Sequence, residues 1–350
     1  MNRQNAPIQP QSLLASVIVP VFDGAQTLDL CLQALSAQTI ESERYEVIVV
    51  DDGSTDGSAE VAARHRVEVI RQEHAGAAAA RNRGAEQASG QVLLYTDADC
   101  EPAPDWIEQM LAPFADPEVV GVKGVYHTRQ RSAVARFVQA EFEEKYDRQK
   151  RVKQIDFVDT YAAAYRREVL MAHGGFDPAF LMDEDQEFSF RLASAGYRLV
   201  FQPAAAVYHQ HPSSAWEYAW RKVQFGRWKV RVIARHPSKA LHDSYTPWTQ
   251  KAQILLVPLA GMGAIMAAFA LLSWPLALIP ANVGLLSAAP LLVRAARQGP
   301  QVLILAPFLI LIRALALGLG LAWGVGSLVK DLVDKEGCGN EPPDCAQRRE

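Results

Sequence analysis

Short apolar runs rich in β-branched residues alternate, from Leu14 onward, with segments whose apolar positions recur at helical spacing. The first run, Ser16-Val-Ile-Val-Pro-Val21, is bounded by Pro20 and Asp23-Gly24 and reads as a buried strand. Leu28, Cys31, Leu32 and Leu35 then share one helical face, with Thr27 as the expected cap. Glu46–Asp51 is a second strand, stopped by the turn residues Asp52-Gly53-Ser54. A helix from Ser58, a strand at Val67–Ile70, a helix from Ala77 and a strand at Val92–Tyr95 continue the alternation. Strand–helix units repeated in this way predict a mostly parallel sheet with helices on both faces. The stretch from Val119 to Pro212 is less regular, with strands expected at Val119–Val125 and Leu199–Gln202. A helix starting near Asp185 would carry Phe188, Phe190 and Leu192.

The pattern changes at Ser213. A long helical stretch to Arg235 mixes Trp216, Trp220, Phe225 and Trp228 with many Arg and Lys residues, a composition suited to a membrane interface. Ile254–Leu272, Trp274–Val293 and Val302–Val329 follow, each long enough to span a hydrocarbon core that needs about 20 residues. The first two are joined by a short Ser273-Trp274-Pro275 turn, as in a helical hairpin, and Pro280 and Pro290 bend the second. Arg294 and Arg297 suit a return to the cytoplasmic side. Arg313 is costly at bilayer centre and must face protein, snorkel, or lie at an interface. Gly320 and Gly324 have the GxxxG spacing of close helix packing.

Composition sharpens this division. The chain is 49% hydrophobic with a formal net charge of -4, which disfavours nucleic acid as a partner. Cys31, Cys100, Cys338 and Cys345 form no CxxC pair, so a reducing compartment suits the main domain. An odd number of spans would put Cys338 and Cys345 outside the cytoplasm, where they could pair. The polar N-terminal residues to Gln11 hold no apolar signal core. The expected organisation is a polar tail (1–13), an α/β domain (14–212, in halves 14–118 and 119–212), amphipathic interface helices (213–251), membrane segments (252–329) and a polar tail (330–350).

Ligands of such a sheet belong at the carboxyl ends of its strands, where Asp23, Asp51, Asp52, Asp97 and Asp99 all fall. Asp97-Ala98-Asp99 offers two carboxylates one residue apart, suited to a hard divalent cation and a ribose or water. Asp183, Glu184 and Asp185 crowd three more together, which raises at least one pKa by repulsion. The same residues would also complement a helix N-terminus.

In these motifs the chain resembles the family-2 glycosyltransferases with the GT-A fold. The matching pieces, in family order, are Ser16-Val-Ile-Val-Pro-Val-Phe-Asp23, Val49-Val-Asp-Asp-Gly-Ser-Thr-Asp56, Ala80-Arg-Asn-Arg-Gly84, Thr96-Asp-Ala-Asp99, Gly174-Gly-Phe-Asp177 and Asp183-Glu-Asp185. Gln224–Arg231 and the apolar tail look like the membrane-anchored exopolysaccharide and succinoglycan-type members. The resemblance implies a Rossmann-like GT-A domain followed by transmembrane helices, and an inverting transfer dependent on Mn2+ or Mg2+. It implies Asp185 as catalytic base, and Pro20, Phe22, Asp23, Asp52, Arg81 and Asp97 as donor contacts. Asp99 and His209 would hold the metal, and Glu184 and Trp228 would meet the acceptor. Asp23 stands where asparagine is more usual, and Asp52 is equally suited to capping its own turn.

The expected reaction moves one sugar from a nucleotide-sugar, UDP being the default, to a polyprenyl-linked saccharide, with the catalytic domain cytoplasmic and the chain multi-pass in the inner membrane. Gln224-Phe-Gly-Arg-Trp228 also matches the QxxRW signature of processive synthases. A processive polymerase and an inactive scaffold or sugar-nucleotide sensor are the alternatives. A nucleotidyltransferase ranks low, because no glycine-rich basic loop follows the first strand.

Overall fold

A computed structural model describes residues 13–271 and 273–338. The chain forms two compact units. One runs to Arg129 and resumes over Gln149–Gln210, and the other comprises Gln130–Arg148 and the residues from His211 on.

The first unit is built on an eight-stranded mixed sheet: β1 (Ala15–Val21), β2 (Tyr45–Asp51), β3 (Glu68–Arg71), β4 (Val92–Tyr95), β5 (Cys100–Pro102), β6 (Val119–His127), β7 (Ala163–Arg166) and β8 (Arg198–His209), in the order β3-β2-β1-β4-β7-β6-β8-β5. β3, β2, β1 and β4 are parallel, as strand–helix alternation requires. β1 and β4 lie inside the sheet and are almost wholly buried, which is why they read as continuous apolar runs. Beyond β4 the direction changes: β7 is antiparallel to β4 and β6, while β8 runs parallel to β6 and antiparallel to β5. Ile18, Ile48, Val50, Leu93 and Tyr95 pack with Tyr165, Phe176, Phe188 and Leu192 in one core.

The helix Ala25–Ser36 buries Leu28, Cys31, Leu32 and Leu35 as the periodicity predicts, but Thr27 is not its cap. The helix begins two residues earlier, and distant groups satisfy its first N–H donors: Gly24 N donates to Ser58 Oγ at 3.0 Å and Ala25 N to Asp56 Oδ2 at 2.9 Å. β8 runs well past Gln202, and its last residue, His209, pairs with Cys100 of the unexpected strand β5.

The second unit is helical. The helix Ala133–Gln149, which falls inside the stretch 119–212 expected to belong to the α/β domain, contributes Val134, Phe137, Val138 and Ala140 to a core with Tyr218, Leu291, Val302 and Leu309. Among the described residues, three helical segments, Trp248–Ala268, Trp274–Gln298 and Pro300–Asp334, are long and apolar enough to cross a membrane. Side chains such as Ile304 and Leu286 are strongly exposed on them, a surface that suits lipid. The helix Ala215–Arg235 crosses the third segment with backbones in contact. A Cβ on Gly320 would stand 2.1 Å from Val223 O, and one on Gly226 would stand 2.6 Å from Leu317 O. The GxxxG spacing of Gly320 and Gly324 therefore serves this crossing.

Arg313 faces protein. It is 2% exposed and donates to Glu141 Oε1 and Gln253 Oε1, each at 2.6 Å. Tyr218 and Lys222 also donate to Glu141, each at 3.0 Å, so this buried carboxylate receives three donors. Burial by itself would raise the Glu141 carboxyl, but the Lys222, Arg313 and Lys145 cations outweigh it and hold its pKa at about 2. Cys345 and the side chain of Cys338, which could pair if the number of spans is odd, lie outside the described residues.

Candidate active site

The ends of β1, β2 and β4 open on one side, and each ends in a turn fixed by side chains. Asp23 has a left-handed backbone (φ 48°), a conformation tolerated by Asn and Asp. Its N–H donates to Ser54 Oγ at 3.0 Å and its Oδ1 accepts from Thr55 N at 2.8 Å, joining the β1 end to the turn after β2. Pro20 sits half-buried in register with Val50, and the exposed Phe22 ring lies 4.2 Å from the His74 ring.

Asp52 is 3% exposed and its carboxylate is fully engaged by the loop after β3. Oδ1 accepts from Gln72 Nε2 at 2.7 Å and Ala75 N at 2.9 Å; Oδ2 meets Gly76 N and His74 Nδ1, each at 2.9 Å. Four partners fill the acceptor capacity of one carboxylate. Asp52 does not cap its own turn: Asp51 does, its Oδ1 accepting from Ser54 N at 2.9 Å, while the Asp52 carboxylate fixes the loop at residues 72–76. Gly76, at φ 92°, ends this loop and caps the helix Ala77–Gln87, which carries Arg81.

Arg81 is the hub. Its side chain is 6% exposed and its two terminal nitrogens part company: one donates to Asp97 Oδ1 at 2.8 Å, the other to the Glu184 carboxylate. A guanidinium fork serves two carboxylates in fixed directions, which an ammonium could not do with equal geometry. The acidic pair after β4 is thereby tied to the start of the helix Glu184–Ser194. Asp183, with φ 63°, turns the chain into that helix.

Asp185 accepts from Gln186 N at 2.7 Å and from Thr160 N at 3.2 Å. Burial, then the Glu184, Asp159 and Asp183 carboxylates, push its carboxyl well above the usual range, against the pull of Arg81. Asp159 pairs with Lys123, a fully buried lysine of β6 whose pKa is lowered by burial and partly restored by that pair.

Asp97-Ala98-Asp99 forms a tight turn closed by Cys100 N donating to Asp97 O at 3.0 Å. Asp99 Oδ1 lies 3.3 Å from His209 Nδ1. Two neighbouring ligands on an octahedral ion with bonds of about 2.2 Å stand about 3 Å apart, so the pair fits a small divalent cation. The His209 ring is stacked on Tyr126 at 4.6 Å. The buried Cys100 thiol adjoins the same pair, with Sγ 3.7 Å from Asp99 Oδ1 and 3.9 Å from His209 Nδ1.

The α/β unit thus brings together Arg81, Asp97, Glu184 and Asp185, joins Asp99 to His209, and sets Asp52, Asp23, Phe22 and Pro20 around the adjoining strand ends. Trp228 belongs to the helical unit, where it is 9% exposed and its ring lies beneath Arg231 at 5.3 Å. Sequence reasoning missed Lys123, Asp159, His74 and Cys100. A lysine in the middle of the apolar run Val119–His127 was the available signal for the first.

A mannosyltransferase, PcManGT from Pyrobaculum calidifontis, solved with GDP-Man and Mn2+, superposes with a TM-score of 0.56 at 23% identity, covering 95% of this chain and 92% of that one. That likeness and the strand order define a GT-A fold. The Glycosyl transferase family 2 model matches residues 16–174. The glycosyltransferase AglE of Haloferax volcanii is 31% identical over 231 residues, 62% of this chain and 73% of that protein. The pre-mycofactocin glycosyltransferase of Mycobacterium tuberculosis is 28% identical over 271 residues, and the match spans 74% of this chain but only 56% of that relative. The chain belongs to glycosyl transferase family 2.

Proposed function

We propose that this enzyme transfers one sugar, with inversion, from a nucleotide-sugar to a lipid-linked saccharide acceptor in surface polysaccharide assembly. The observation that carries the reading is the Arg81 bridge, which ties Asp97 of the acidic turn to Glu184, the neighbour of the strongly perturbed Asp185. Asp185 accepts the proton of the acceptor hydroxyl as that oxygen bonds to the anomeric carbon and the bond to the diphosphate breaks. A base kept protonated to higher pH than an ordinary carboxylate is better matched to a hydroxyl proton at neutral pH.

Asp99 and His209 are the residues that would hold Mn2+ or Mg2+. The bound cation supplies charge neutralisation at the departing diphosphate. Pro20, Phe22 and Asp23 line the donor's nucleoside slot, with uracil the default base. Asp52 contacts the base or ribose as the exposed His74 ring gives way, and Asp97 contacts the ribose. Arg81 acts on the donor side by orienting Asp97. Glu184 is the acceptor-side residue of the α/β unit.

Three apolar helices support a multi-pass chain in the inner membrane. The basic residues Arg294 and Arg297, near the end of the second, support a cytoplasmic side for the catalytic unit. The test is a donor screen with the full chain in membranes and Mn2+ or Mg2+, following nucleoside diphosphate release with and without polyprenyl-linked acceptors. Acceptor-dependent release from one donor is expected. Release that ignores both lipid acceptor and divalent cation would overturn the reading.

A further inference from the structure

We propose that Asp99, Cys100 and His209 form a three-ligand site for a thiophilic divalent cation such as Zn2+, with the Cys100 sulfur as its third ligand. The inference rests on the reading of Asp99 and His209 as the cation site, and adds to it a ligand that changes which cation the site prefers.

Geometry carries it. The donor atoms of the three residues lie within 4.8 Å of one another, with separations of 3.3 Å (Asp99 to His209), 3.7 Å (Asp99 to Cys100) and 3.9 Å (Cys100 to His209). A tetrahedral Zn2+ with bonds of about 2.0 Å to oxygen and nitrogen and about 2.3 Å to sulfur has ligand–ligand edges of roughly 3.3–3.6 Å. The longer edges are the two that involve sulfur, as a tetrahedral ion requires.

The fold explains why the three meet. Cys100 and His209 are directly opposite in the antiparallel pairing of β5 with β8, so their side chains share a face. Asp99 precedes Cys100 in the tight turn after β4. Cys100 is fully buried and His209 is 8% exposed, whereas the Asp99 side chain is 40% exposed. A cation held there would rest against the buried Cys100 and His209 and could take an outside oxygen from the solvent side of Asp99, as open zinc sites do.

Donor chemistry gives the selectivity. A carboxylate and an imidazole accept Mn2+, but adding a thiolate favours Zn2+ and Co2+. On binding, the Cys100 S–H bond breaks, the sulfur–metal bond forms and the proton passes to water. Burial and the Asp97 and Asp99 carboxylates keep the thiol protonated otherwise, and the cation reverses that local field.

The experiment is Co2+ titration of the full chain in detergent, followed by absorption spectroscopy. The variant used has Cys31→Ala, Cys338→Ser and Cys345→Ser, which leaves Cys100 as the single thiol of four. A near-ultraviolet thiolate-to-cobalt charge-transfer band and strong visible bands of a four-coordinate ion are expected. Zn2+ should displace the Co2+. Cys100→Ser in the wild-type chain should abolish the charge-transfer band and weaken Zn2+ binding at least about tenfold. A weak six-coordinate cobalt spectrum without the charge-transfer band would overturn the inference, in either the wild-type chain or the single-thiol variant. Mn2+ binding, read by electron paramagnetic resonance with nucleoside diphosphate present, separates the two claims. Manganese bound without a cobalt–thiolate band defeats only the Cys100 ligand. No binding of either ion defeats the cation site as well.

Discussion

Arg81 shows how much one side chain settles here. It joins Asp97 to Glu184, and its guanidinium is nearly closed off from water. Arg81→Met would leave two carboxylates facing each other without a cation, at a cost of roughly 3 kcal/mol, moderated because Asp97 is partly open to solvent. Chemical denaturation of the variant checks this, and Arg81→Lys should recover only part of the loss. Asp185→Asn should lower turnover about 10²- to 10⁴-fold while donor affinity, measured by calorimetry, stays near wild type. The pH profile follows from the raised pKa of Asp185. As the proposed base, Asp185 would work only when deprotonated, so turnover should rise with pH along a limb centred above the ordinary carboxylate range. Stability runs the other way. The folded protein holds this proton more tightly than the unfolded chain, so that contribution is full below the ordinary aspartate pKa and is lost as pH rises through the folded value. Asp185→Asn should therefore gain thermal stability over wild type at alkaline pH more than at acid pH. The acidic residues were legible because carboxylates at strand ends are conspicuous. Lys123 and Asp159 were not, since nothing in sequence pairs residues 36 positions apart.

Among the elements, β1, β2, β4 and the helix Ala25–Ser36 could be read directly because their apolar pattern matches their burial. The helix Ala133–Gln149 could not. Its buried positions include Gln139, Glu141, Lys145 and Gln149, so polar residues interrupt the periodicity that would announce it. β5 was hidden for a different reason: three residues are too few to show alternation, and only the pairing with β8 defines it. Thr27 misled because local capping chemistry was overridden by Asp56 and Ser58 from another turn. The crossing of Ala215–Arg235 with the third apolar helix offers a sharp test. Gly320→Ala puts a methyl group against Val223 O and should destabilise the protein by about 1–3 kcal/mol or more. Gly326→Ala, with nothing within 4 Å of the added carbon, should be neutral or slightly stabilising because alanine favours helix. Thermal unfolding of the two variants in detergent compares them directly.

For the whole molecule, the basic-aromatic helix and the apolar helices belong to one compact unit whose polar centre is Glu141. Its carboxyl, held at about 2 against an ordinary 4.5, stabilises the fold fully above the ordinary value, and this contribution is lost as pH falls from about 4.5 toward 2. Glu141→Gln should lower stability at neutral pH and flatten its decline on acidification, as followed by tryptophan fluorescence. The broad architecture, a GT-A domain with apolar helices after it, was visible in motif order and hydropathy. The division into units was not, because residues 130–148 join the helical unit from within the α/β stretch. The central claim is direct displacement at the anomeric carbon by an acceptor oxygen that Asp185 deprotonates. Proton NMR of the anomeric centre in donor and product tests it most directly. The account predicts that the product linkage has the configuration opposite to that of the sugar in the donor; retention of the donor's configuration would contradict it.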